Sequence, residues 1–161
     1  MRTGAILALL ACLLLPACDS EDQEMPSSWS GQTLSTLSHP SGLRIELPAD
    51  LYEIEETATG WRIRPADAAN LRSPFEISVA VAAGARPAGE WPERRRLDGR
   101  DFRYRIDHAD AGSGGDMQVL RAWEETEGDS YLTLQQTVQA EPPAQPDFAD
   151  GWAILGRARR P

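Results

Sequence analysis

Two acidic clusters hold the residue types from which chemistry is most readily built. Asp107, Asp110 and Asp116 surround the glycine-rich run 111–115, and their carboxylates are oxygen donors of the kind Ca2+ takes. The spacing departs from an EF-hand loop, lacking its early acid pair and distal glutamate. A solvated turn is the favoured reading there and a metal site the weaker one. Glu124, Glu125, Glu127 and Asp129 crowd four negative charges into one short stretch, where like charges repel. Such a tip suits a basic or metal-bearing groove on a protein partner. A charged hairpin end that aids solubility is the plainer alternative.

Hydrolytic chemistry finds less support. The two histidines are His39, at the start of an alternating run, and His108, between Asp107 and Asp110. Neighbours along a strand point to opposite faces, so these do not assemble a Ser-His-Asp site. No two of the many acids are singled out as the opposed pair of a glycoside hydrolase, which stays a third alternative. All sixteen basic side chains are arginine, which excludes a Schiff-base or nucleophilic lysine. No catalytic residue and no cofactor is assigned, and the chain reads as a non-enzyme. Arg94, Arg95, Arg96, Arg100, Arg103 and Arg105 form a basic ribbon across Asp98-Gly99. It either faces anionic headgroups or an acidic partner, or is a solvated sheet face paired with neighbouring glutamates; the second reading is preferred.

The remaining reactive group is Cys18. It follows one positive charge, Arg2, and an uncharged apolar run over residues 5–15, the layout of a secretory signal peptide. Thirteen residues from Ala5 to Ala17 would reach only about 20 Å as a helix, against a hydrocarbon core of about 30 Å. They do not span a bilayer. The sequence Leu15-Pro16-Ala17-Cys18 resembles the lipobox of bacterial lipoproteins, which implies lipid attachment at Cys18, removal of residues 1–17 and a periplasm-facing protein. Asp19 resembles an inner-membrane retention signal, although inner and outer membrane both stay open. Cys12 leaves with the leader, so the mature chain has no cysteine pair. The formal charge is −9, and losing Arg2 makes it one unit more negative. Acidity of that degree argues against nucleic acid, which would call for a basic stripe.

These groups need elements to hold them. Residues 18–38 are polar and serine-rich and read as the lipidated cysteine with a flexible tether. Residues 39–161 read as one domain. Within it the apolar period is close to two, the mark of half-buried strands: Leu43, Ile45 and Leu47; Tyr52 and Ile54; Trp61 and Ile63; Phe75, Ile77, Val79 and Val81; Phe102, Tyr104 and Ile106. Asp98-Gly99 has the composition of a tight hairpin turn. Residues 117–124 and 131–138 make another hairpin, with the acidic stretch as its tip. After "EPPAQP", Asp147 is a candidate N-cap for a helix in which Phe148, Trp152 and Leu155 recur at helical spacing, with Arg157, Arg159 and Arg160 at its end. The expectation is an α+β domain: an antiparallel sheet or sandwich of about 6–8 strands closed by a C-terminal amphipathic helix.

Two stretches, "HPSGLRIELPADLYEIEETATGWRIRP" and "DFADGWAILGRAR", resemble the opening hairpin and closing helix of the PsbP-like sandwich fold. Together with the acidic tip and lipobox, the chain is similar to immunity lipoproteins that protect Gram-negative bacteria from a type VI secreted peptidoglycan muramidase. That resemblance implies a protein partner, a secreted hydrolase blocked by an acidic loop, and carries Glu124, Glu125, Glu127 and Asp129 over as the candidates by loop type. A general envelope lipoprotein of the same fold, serving assembly or ligand binding in an envelope complex, is the alternative.

Overall fold

The computed structural model describes residues 25–67, 75–110, 116–140 and 145–161. A hairpin of β1 (Ser35–Ser38) and β2 (Arg44–Leu47) precedes seven longer-range strands: β3 (Tyr52–Glu56), β4 (Gly60–Pro65), β5 (Phe75–Ala83), β6 (Glu93–Leu97), β7 (Arg100–Asp110), β8 (Asp116–Glu124) and β9 (Ser130–Ala140). One helix, α1 (Ala149–Arg157), follows. The seven strands pair in the order β3-β4-β5-β9-β8-β7-β6, antiparallel throughout. A hairpin extended by one strand thus meets a four-stranded meander, and β5 zips onto β9 along nine register pairs.

One face of this sheet is the core. Residues directly opposite each other share a face, so the register writes out its rows: Trp61, Val79, Leu134, Ala122 and Tyr104 in one, Ile63, Ile77, Gln136, Leu120 and Ile106 in the next. β2 and α1 cover this face, bringing Leu43, Ile45, Leu47, Trp152, Ile154 and Leu155 into one buried cluster. The expected α+β architecture is what the chain adopts, and the Asp98-Gly99 turn has both residues at positive φ (48° and 75°), as a type I′ hairpin requires.

The row through Gln136 contains a polar group with no exposed surface. Its Oε1 accepts from Gly151 N at 3.0 Å and its Nε2 donates to Asp147 O at 3.3 Å, so it ties the start of α1 to the sheet centre. A Cβ on Gly151 would lie 2.2 Å from Gln136 Oε1; glycine is needed for this approach. Asp147 Oδ1 accepts from Ala149 N at 2.8 Å, satisfying one of the donors that a helix start leaves open.

The packed body begins earlier than the expected boundary at His39. Trp29 is 1% exposed and belongs to the core, and β1 lies within the stretch read as tether. Trp29 Nε1 donates to Tyr52 Oη at 2.7 Å, and Tyr52 Oη donates to Asp150 Oδ1 at 2.9 Å. A single indole buries roughly 150–250 Å², enough to pin a segment whose polar composition carries no strand period. Residues 1–24, Cys18 included, lie outside the described residues. Among the described residues no helix is long and apolar enough to cross a membrane.

Candidate partner-binding tip

The β8–β9 hairpin ends in a tip, residues 125–129, at the same end of the sheet as the Asp98-Gly99 turn, since Glu124 faces Phe102 and Ser130 faces Ala83. Side chains from elsewhere clamp it. Arg86, in the loop after β5, donates through Nη2 to the carbonyls of Thr126 (2.7 Å) and Gly128 (2.5 Å) and lies over the Tyr131 ring at 4.4 Å. Tyr131 Oη in turn donates to Ala85 O at 2.9 Å. From the C-terminus, Arg160 donates to Thr126 Oγ1 at 3.0 Å. The backbone adds Gly84 N to Asp129 O and Glu125 N to Asp101 O. The tip is preorganised before any partner arrives.

The four acids at this end of the hairpin, Glu124 at the end of β8 and Glu125, Glu127 and Asp129 in the tip, do not act alike. Glu124 is buried, its side chain 5% exposed; Oε2 accepts from Arg160 Nε at 2.9 Å and from Leu132 N at 3.3 Å, and Arg100 Nη1 lies 3.7 Å from Oε1. It is a strut between hairpin and C-terminus. Glu125 is bonded by Arg103 Nε (3.0 Å) and Arg94 Nη2 (3.0 Å), and the Arg103 hydrogen bond holds its carboxyl below the usual carboxylate range. Glu127 and Asp129 are exposed, and among the described residues their carboxylates meet no cation or hydrogen-bond donor. The negative charge that faces outward is theirs.

The basic ribbon follows the paired reading. Arg94 and Arg103 hold Glu125, Arg105 and Arg121 share Asp107, and Arg95 lies over Trp152 at 4.9 Å. Arg100 caps α1, donating through Nη2 to Leu155 O (3.1 Å) and Gly156 O (3.0 Å), and burial pushes its guanidinium below the ordinary arginine range. On the other half of the sheet Arg62 and Arg64 pair with Glu55 and Glu76. Asp107 is therefore balanced by arginine, while Asp110 and Asp116 face each other in register at the far end of β7 and β8; their side chains lie outside the described residues. Among the described residues no group of three metal-ligating side chains converges. His39 is buried and structural: Nε2 lies 2.9 Å from Thr57 O, Nδ1 accepts from Ser41 N at 3.0 Å, and Trp61 meets its ring edge to face.

Arg86 and Arg160 are the residues that sequence reasoning misses at this site. Arg86 is a lone arginine in a Gly/Pro-rich loop, forty residues from the carbonyl it holds, and no local pattern announces such a bond. Arg160 reads naturally as a helix-dipole cation, although its partners are Glu124 at the end of β8 and Thr126 in the tip.

The sheet therefore presents a preordered hairpin end with two outward-facing carboxylates, Glu127 and Asp129. A profile of the type six secretion immunity 3 domain matches residues 44–159. The chain is also similar to the Immune protein Tsi3 of Pseudomonas aeruginosa, 33% identical over 160 residues that cover 99% of both chains. The chain belongs to the type six secretion immunity 3 domain family. It is an immunity protein of type VI secretion and not an enzyme, and its partner is a protein.

Proposed function

We propose that this immunity protein is held at the periplasmic side of a membrane by lipid on Cys18 and blocks a type VI secreted peptidoglycan hydrolase with its β8–β9 tip. The observation that carries the reading is the division of labour among the acids: Glu124 and Glu125 are neutralised within the fold, and Glu127 and Asp129 project from a clamped hairpin end. A preordered loop loses little further conformational entropy on docking. Its two uncompensated carboxylates suit a groove lined by cations or by a metal ion that the hydrolase uses.

The test mixes the purified chain with a candidate type VI secreted wall hydrolase and follows complex formation and hydrolysis of cell walls. The expected result is a stoichiometric complex, loss of hydrolysis, and at least a tenfold weaker complex for the double variant Glu127→Gln/Asp129→Asn at unchanged melting temperature, a loss of about 1.4 kcal/mol or more. A complex that forms equally well without the two carboxylates places the contact elsewhere, and no complex at all overturns the reading.

A further inference from the structure

The outer face of the seven-stranded sheet carries a pocket that the tip does not use. Its floor comes from small or polar side chains at facing register positions, Ser78 opposite Gln135 and Ala80 opposite Thr133, where larger side chains would have filled the space. The loop after β5 overhangs it and Trp91 forms a wall. The indole Nε1 is fixed by the carbonyls of Pro87 (3.2 Å) and Ala88 (3.3 Å), and the ring meets Trp123 edge to face at 6.4 Å. The depression encloses about 370 Å³, within the roughly 300–1,000 Å³ of small-molecule sites.

Charge gives the pocket its character. Arg105 and Arg121 line it and stand directly opposite each other in register, an arrangement that costs stability unless a negative group lies between them. Among the described residues the carboxylate that both approach is that of Asp107. Arg121 Nη1 donates to its Oδ2, while Arg105 Nε lies 3.3 Å from the same oxygen but is too poorly aligned to bond and stays buried without a hydrogen-bond partner. Arg121 Nε also donates to Gln135 Oε1 at 3.2 Å, and Arg105 lies over the Trp91 ring at 4.7 Å. Two guanidinium groups against one carboxylate leave one positive charge uncompensated beside an apolar wall, on a chain whose formal charge is −9.

We infer that this pocket binds a small organic molecule carrying one carboxylate, the carboxylate set against Arg105 and Arg121 and the apolar or ring body against Trp91 and Pro87. The planar fork of guanidinium donors matches a carboxylate, and a single negative charge is what the local excess balances. The inference is independent of the tip: it concerns a different face and needs no protein partner.

The experiment titrates the full chain with benzoate and with benzamide, its neutral counterpart of the same shape. Calorimetry and the indole N–H resonance of Trp91 are the readouts. Saturable benzoate binding that shifts the Trp91 resonance and exceeds benzamide binding at least tenfold is expected. Arg121→Gln, on the solvent side of the sheet, should weaken benzoate at least tenfold with an unchanged unfolding transition. Arg94→Gln, outside the pocket, should leave it unchanged. If Arg121→Gln does not fold, Arg121→Lys keeps the charge, loses the fork and should show the same direction of change. Equal binding of the two probes, no saturation in the millimolar range, or benzoate binding indifferent to the folded Arg121 variant overturns the proposal.

Discussion

Glu124 and Glu127 stand three residues apart in the same acidic stretch, yet their surroundings give them opposite consequences. Removing the charge of Glu124 leaves Arg160 and Arg100 facing a neutral amide. Breaking a fully buried pair costs about 3–5 kcal/mol, and Arg160, 27% exposed, recovers part of that from water. Glu124→Gln is expected to destabilise the fold by about 2 kcal/mol, read as a shifted denaturant midpoint at constant slope. Glu127→Gln should change stability by less than about 0.5 kcal/mol, as exposed substitutions do. A second contrast lies in the Trp29–Tyr52–Asp150 chain. Burial first of all raises the carboxyl of Asp150 above its ordinary value, and burial likewise pushes the Tyr52 hydroxyl up. With a raised folded-state value the native protein holds the proton more tightly than the unfolded chain, so stability is greatest below the unfolded value and falls as pH rises through the folded one. Asp150→Asn keeps an oxygen for the Tyr52 hydroxyl and removes the ionisation. Unfolding free energies measured from acid to neutral pH should show the wild type losing stability over that window relative to Asp150→Asn. Parallel curves would mean that Asp150 is better solvated than its packing indicates.

Elements whose two faces differ were legible in the chain. Phe75 to Val81, Phe102 to Ile106 and the Asp98-Gly99 turn announce themselves because a half-buried strand must alternate and a type I′ turn must admit positive φ. β1 gives no such signal: "STLS" has one apolar residue, and its neighbour Trp29 is a lone indole in a polar stretch. Such a segment is recruited by tertiary burial, which local periodicity does not encode. Trp29→Ala tests how much this contributes; deletion of a buried aromatic costs about 3–5 kcal/mol, and a loss of that size in chemical unfolding marks residues from 25 onward as part of the cooperative body. The clamps on the tip were hidden for the same reason, since Arg86 and Arg160 reach their partner Thr126 from 40 and 34 residues away. The candidate acids were legible as a cluster, while their division into struts and free charges was not. Gly151 belongs with the hidden features, because only the packed structure shows Gln136 against it. Gly151→Ala should displace Gln136, leave its buried amide short of partners and destabilise by about 1–3 kcal/mol. The companion change Gln136→Leu, which removes the polar group, should recover part of that loss in the double variant.

At the scale of the whole molecule, the early start of the packed body changes how the protein would stand on a membrane. With lipid on Cys18, six residues, 19–24, separate the anchor from the described body. At up to about 3.4 Å each they reach roughly 20 Å, a fraction of what a tether running to Ser38 would allow. The body would then work close to the headgroups, and its acidity would keep it from lying flat on an anionic surface. Cys18→Ser should therefore abolish incorporation of labelled palmitate and move the protein from the membrane to the soluble fraction of the envelope. Protection against the cognate hydrolase should fall with it, and more steeply when the protein is scarce. A wild-type chain that takes up no palmitate, or a Cys18→Ser variant still sedimenting with membranes, would show that the body is held there by something other than one modified sulfur.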